Sequence, residues 1–400
     1  MIFDVARVRS GYPALAEGFV HLDGAGGTQP AAPVIDAIAA AMRTAVSNRG
    51  TAHEPARRSG EIVAAARSAV ADLVGGDPAG VVFGPSATTL TYLVARTLAQ
   101  GWEPDDEVVV TRLDHDANVR PWVQTTAISR YAGVDATTGR LDVGQFRDLI
   151  GPRTRLVALT AASNAAGTVP AVREIADIAH AAGALVFVDG VHATAHLPTD
   201  VAALGADFYV TSAYKWSGPH YAAVVAAPAL WETLHPAKLI PSPAGVPDRF
   251  EQGTLSFELL AGITAAVDHL AGLAGTGGDR RSRLLASMAA VVEYENSLLD
   301  RLLTGLAAID TITVLPAPAG RCPTVSFRVA GESPAQTARA LGEKGICVSH
   351  GDYYAVEYFT SLGLRDSGGA VRASLYHYTT TDEVDRLLDA LAGRGRLTTG

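Results

Sequence analysis

The amino-acid sequence predicts an α/β protein: a large domain on a mostly parallel sheet, then a smaller α+β domain at the C-terminus. Two observations carry this. Short β-branched runs alternate with helical periods over the first two thirds of the chain, and repeated strand–helix–strand units mean a parallel sheet. Past residues 275–278, Gly-Thr-Gly-Gly, the pattern changes to one long helix and then a mixture of short strands and helices, so this stretch reads as a hinge.

Residues 80–83, 107–111, 156–160, 185–189 and 208–211 read as strands. Continuous apolar runs of this length suit strands covered on both faces. Between two of them Val172, Ile175, Ala176 and Ala179 recur at helical spacing and mark an amphipathic helix. After the hinge a helix is expected over 280–306, with strands at 324–329 and 371–375. The last helix opens with Thr380-Thr381-Asp382-Glu383, a capping box in which Thr380 and Glu383 satisfy each other's backbone donors.

Composition narrows the function. Of the residues 48% are hydrophobic and 18% charged, enough apolar material for a large core and far from a disordered profile. A net charge of -9 without a basic stripe argues against a nucleic-acid partner. The N-terminus lacks a continuous apolar segment of the signal-peptide kind, and no uncharged apolar run is long enough to span a bilayer. The two cysteines, Cys322 and Cys347, lack metal-site spacing and cannot make a disulfide framework, so no metal is expected. These features together predict a cytoplasmic protein that does not engage membranes.

Ligands of open α/β sheets collect at the carboxyl ends of the strands. Asp189-Gly190-Val191-His192 follows one strand and Ser212-Ala213-Tyr214-Lys215 the next. An acid and a lysine so placed also describe a plain ion pair. The other strand ends add Asn164, the small polar turn Ser86-Ala87-Thr88-Thr89 at a helix start, and Asp114-His115-Asp116-Ala117-Asn118. A helix start with free N–H groups suits phosphate. Pyridoxal 5'-phosphate (PLP) needs this set: a lysine for a Schiff base, an acid beside the pyridine nitrogen, donors to the ring hydroxyl and a phosphate cup.

Over nearly its whole length, from residues 21–30 (His-Leu-Asp-Gly-Ala-Gly-Gly-Thr-Gln-Pro) to the last helix, the sequence resembles the class V aminotransferase group of fold-type-I PLP enzymes. The likeness is to the cysteine desulfurase and selenocysteine lyase branch. It rests on the order of residues 114–122, Ser163-Asn164 with Gly167-Thr168, residues 189–192, residues 212–215, residues 250–254 (Phe-Glu-Gln-Gly-Thr) and residues 372–375 (Arg-Ala-Ser-Leu). The resemblance implies a seven-stranded sheet, a large domain over 15–275, and a small one over 276–400 joined by residues 1–14. It implies Lys215 as the Schiff-base lysine, Asp189 at the pyridine nitrogen, and His192 and Asn164 near the ring hydroxyl. Thr88, Ser212 and the Ala87 N–H would hold phosphate. Gly253 and Thr254 would reach the phosphate of a second subunit in a homodimer with shared sites, and Arg372 would bind the carboxylate of a small amino-acid substrate.

Two departures matter. The histidine that stacks on the ring in relatives aligns with Asp116, with His115 one residue earlier. The loop cysteine that carries sulfur in desulfurases aligns with Tyr354, within His350-Gly351-Asp352-Tyr353-Tyr354-Ala355. A phenol accepts no persulfide, and Cys347, after Ile346 in an apparent strand, is expected to be buried and inert. Asp116 and Tyr354 become acid/base candidates. The leading expectation is a desulfurase-like carbon–sulfur β-lyase without the loop cysteine. An aminotransferase or epimerase remains open, as does a non-catalytic PLP-fold protein, because fold does not settle reaction type.

Overall fold

A computed structural model of the chain describes residues 3–274 and 277–393. Gly275 and Thr276 of the expected hinge lie outside the described residues, as do the chain ends.

The strands, in chain order, are β1 (Val20–His21), β2 (Val81–Gly84), β3 (Glu107–Thr111), β4 (Ile128–Ala132), β5 (Thr154–Thr160), β6 (Leu185–Asp189), β7 (Phe208–Ser212) and β8 (Ala222–Ala226), then β9 (Ile312–Val314), β10 (Thr324–Val329), β11 (Ile346–Cys347), β12 (Ser349–Gly351) and β13 (Ala370–Ser374). Seven of them form the main sheet in the order β2-β8-β7-β6-β5-β3-β4. Only β8 runs antiparallel to its neighbours there. Five strands of this sheet are read from the sequence, and all five are present. The two that escaped it have physical reasons. β8 is Ala-Ala-Val-Val-Ala, fully buried but poor in residues of high strand propensity. β4 is an edge strand carrying Ser129 and Arg130, with most of its residues partly or fully exposed.

Helices cover both faces. On one side Leu90, Val94, Trp122 and Trp231 pack against Phe187 and Phe208. On the other, helices 54–74, 172–181 and 257–271 bury Val63, Val70, Ile175, Leu260 and Val267. A second sheet, in the order β12-β13-β10-β9, packs on the long helix Arg280–Ala307 and the last helix Thr381–Ala392. Its core holds Leu298, Leu302, Phe327, Val371 and Leu387, and also Val20 and Leu22 from the N-terminal segment. There β1 pairs in parallel with β11. Thr380 and Glu383 make the capping box expected for the last helix. Among the described residues no helix is long and apolar enough to cross a membrane.

The turn after β3 is set by a buried carboxyl. Asp114 is fully buried; its Oδ1 accepts from Asn118 Nδ2 at 2.7 Å and its Oδ2 from the Thr111 hydroxyl. Asn118 in turn accepts from Trp122 Nε1 at 3.2 Å, so the turn carrying His115 and Asp116 is tied to the core. Burial pushes the Asp114 carboxyl up to about 8, against the hydrogen bonds from Thr111 and Asn118. The folded chain therefore keeps this proton where the unfolded chain, with an ordinary value near 3.9, loses it. Its contribution is complete below about pH 4 and is lost as pH rises through about 8. Between those limits the wild type should lose a few kcal/mol relative to Asp114→Asn, read from urea midpoints. A difference between the two proteins that does not vary with pH would refute the protonated turn.

Candidate active site

The carboxyl ends of β3, β5, β6 and β7, the start of the helix Ala87–Leu98 and the β12–β13 segment enclose a cavity of about 750 Å³. Lys215, Asp189, Asn164, His192, Ser212, Ala87, Thr88, Asp116, Tyr354 and Arg372 all line it. Gly253 and Thr254 do not; they lie exposed on the surface outside it.

Lys215 follows β7 in a single helical turn. Its Nζ donates to the carbonyls of Ala25 and Gly26, the latter at 3.0 Å, and lies 4.7 Å from the centre of the Tyr214 ring. A side chain at Gly26 would put its Cβ 2.6 Å from Asp23 Oδ2, so glycine is what lets this loop close over the lysine. Burial and then the Arg372 charge bring the Lys215 amine down to about 7, with Asp23 and Asp189 pulling the other way. A neutral amine is thus well populated at physiological pH.

Asp189 ends β6. Its Oδ1 accepts the Val191 N–H at 2.8 Å, and burial pushes the carboxyl up to about 6. Gly190 admits the Tyr209 ring, which a Cβ would meet at 1.9 Å. His192 is buried with Nε2 3.0 Å from the Thr324 hydroxyl, and burial holds it well below its ordinary value. Asn164 donates from Nδ2 to the Tyr353 carbonyl at 3.0 Å, while its Oδ1 is buried without a partner.

At the start of the helix Ala87–Leu98, Ser86 takes the Thr89 N–H at 3.1 Å. Ala87 and Thr88 border the cavity beside it. First-turn N–H groups have no partner within their own helix and favour an anion. Ser212 also borders the cavity, its hydroxyl 3.4 Å from the Tyr221 carbonyl.

Arg372, on β13, is buried. One Nη donates to the Asn164 carbonyl at 3.1 Å and the other to Asp23 Oδ1 and Ser349 Oγ, each at 3.0 Å. Its guanidinium lies 4.5 Å from the Tyr353 ring centre, and Nε has no partner. Asp23, from residues 21–30, is the counter-ion. Ser349 gave no signal at all in the sequence.

The departures resolve into one assembly. Asp116 is ion-paired with Arg120 at 2.7 Å, and Arg120 and Arg112 both bond to Glu357, at 2.5 and 2.8 Å. The Asp116 N–H donates to the Tyr354 carbonyl at 2.6 Å. The Tyr354 ring stacks on His115 with centres 5.4 Å apart. Tyr353 and Tyr354 hold φ of 49° and 60°, a conformation side chains resist and neighbours must enforce. His115, not Asp116, therefore offers the aromatic surface. Its Nδ1 accepts the Ala117 N–H at 3.0 Å, which leaves the proton on Nε2, and burial brings it down to about 4. Tyr354 is 71% exposed and sits at the mouth.

Neither thiol borders the cavity. Cys322 is buried, and burial raises it far above the thiol range. Cys347, expected to be buried, is half-exposed; burial and Asp23 still raise it. Two unpartnered buried polar atoms, a buried lysine and acid, and a helix start all face one space, and these residues fit PLP.

The aminotransferase class-V family model matches residues 20–387. The chain is 36% identical to an uncharacterized protein of Mycobacterium tuberculosis, over 99% of this chain and all of the relative. It is 34% identical to a probable cysteine desulfurase of Pseudomonas aeruginosa, over 96% of each. The solved cysteine desulfurase of Escherichia coli superposes with a TM-score of 0.87 at 27% identity, covering 99% of this chain and 100% of that one. The chain belongs to the class-V aminotransferase family of PLP-dependent, fold-type-I enzymes, on its cysteine desulfurase-like side.

Proposed function

We propose that this enzyme acts at the α-carbon of a small amino acid and expels a β-substituent, as a carbon–sulfur lyase that needs no protein thiol. The observation that carries the reading is the cavity itself: a buried lysine with a depressed pKa faces it, and no cysteine does. Several relatives carry the name cysteine desulfurase, which supports sulfur chemistry.

Lys215 would hold the cofactor, Asp189 would pair with its ring nitrogen, and Asn164 and His192 would bind at the ring hydroxyl. The Ala87 N–H, Thr88 and Ser212 hold its phosphate. PLP, when bound, supplies a protonated ring that draws in the electron pair left at the α-carbon. Arg372 takes the substrate carboxylate, its planar fork already fixed by Asp23, Ser349 and Asn164. Lys215 Nζ would take the α-proton, and an amine near 7 suits that task at neutral pH. Asp116 is bound to Arg120, so in this reading it holds the Tyr354 turn, and Tyr354 with His115 closes the mouth against water.

Gly253 and Thr254 are read as contacts to the phosphate of a second subunit. Both are exposed, and Gln252 beside them bonds to the Ala237 carbonyl, joining them to a loop that exposes Leu239 and, almost fully, Ile240. Both thiols are unpaired, which suits a reducing, cytoplasmic compartment.

Full-length, PLP-loaded enzyme given L-cysteine should yield pyruvate, ammonia and free sulfide in equal amounts. Alanine with sulfur retained on the protein would overturn the thiol-free reading, and no turnover would favour transamination or epimerisation. Lys215→Ala should lose the visible absorbance of covalently held PLP; an unchanged spectrum removes Lys215 from its role. Sedimentation should give a dimer, and a monomer that turns over at full rate would exclude shared sites.

A further inference from the structure

His192 borders the cavity, and its contacts leave its second ring nitrogen without a protein partner. Nε2 faces Thr324 Oγ1 at 3.0 Å, and among the described residues nothing bonds Nδ1. Thr324 lies opposite Ser374 across the β10–β13 pair, and their hydroxyls are 2.9 Å apart. Ser374 Oγ accepts the Ala25 N–H at 2.9 Å. Both hydroxyl residues are fully buried, and among the described residues neither hydroxyl meets any other group.

The protons can then be counted. A backbone N–H only donates, so Ser374 accepts from Ala25 and must place its own proton on Thr324. Thr324, having accepted, must place its proton on His192 Nε2. Every other arrangement strands a hydroxyl proton in a site without water access, which costs more than a hydrogen bond gains. If Nε2 carried the proton, either Thr324 or Ser374 would be left with one it could not donate.

We propose that Thr324, oriented through Ser374 and the Ala25 N–H, is a positioning residue whose hydroxyl donates a hydrogen bond to His192 Nε2 and so fixes the Nδ1–H tautomer. His192 then presents a single donor to the cavity, fitted to an oxyanion; on the function proposed above, that is the phenolate oxygen of PLP. Ala25 serves two sides at once. Its N–H begins this chain, and its carbonyl holds Lys215 Nζ. Burial and the nearby His196, Lys215 and Arg372 keep the ring from taking a second proton.

The test is nitrogen NMR of histidine-labelled, full-length protein with and without PLP, the His192 signals assigned by their loss in His192→Gln. Wild type should carry its proton on Nδ1 in both states; a proton on Nε2 overturns the proposal outright and needs no variant to fold. Without PLP, Thr324→Val should shift population to Nε2–H, while Thr324→Ser, which keeps a hydroxyl facing Nε2, should hold Nδ1–H. An unchanged tautomer in Thr324→Val also overturns it. With PLP, Thr324→Val should retain the cofactor about tenfold less tightly, the loss of one charge-assisted bond. A chain that took up no PLP would sink the proposed function, yet the tautomer in the cofactor-free protein would still be readable.

Discussion

The parallel register of β5, β6 and β7 is the constraint on which the site depends. Thr160 pairs with Asp189, and Asp189 with Val210, so the strands end nearly level and their following residues emerge along one edge. Backbone hydrogen bonds fix that alignment, and the helices on both faces leave the edge as the open place. Asp189 and Lys215 meet there because of sheet geometry; no direct bond joins them. The low polarity of the surrounding core then shifts both groups toward their neutral forms.

Much of this was legible because strand ends are legible. Asp189, Ser212 and Lys215 each follow an apolar run whose end is unambiguous, and Asn164 and Thr88 follow from the same rule. What stayed hidden depends on contacts between distant segments. Asp23 reaches Arg372 across 349 positions, and Thr324 reaches His192 across 132. No local pattern encodes such pairs. The grip on Lys215 comes from two backbone carbonyls, to which side-chain identity is blind apart from the glycine that permits the approach. β8 and β4 were missed for opposite reasons, one too rich in alanine and the other too exposed.

Asp116, at the position aligned with a ring-stacking histidine, closes an ionic cluster, while the imidazole one position earlier stacks on Tyr354. The substitution at the loop is of the same kind. A tyrosine stands where a thiol is expected, and its ring and backbone are both engaged with the preceding turn.

The cluster of Arg112, Arg120, Asp116 and Glu357 has one further consequence. Its two arginines keep about a third of their side chains in solvent, whereas Arg372 keeps 3%. Dissolved ions screen the first set strongly and the second hardly at all. Raising ionic strength should therefore loosen the tyrosine turn over the entrance while leaving the carboxylate fork intact. On the proposed function, entry and exit would respond to the surrounding electrolyte while recognition of the bound molecule would not.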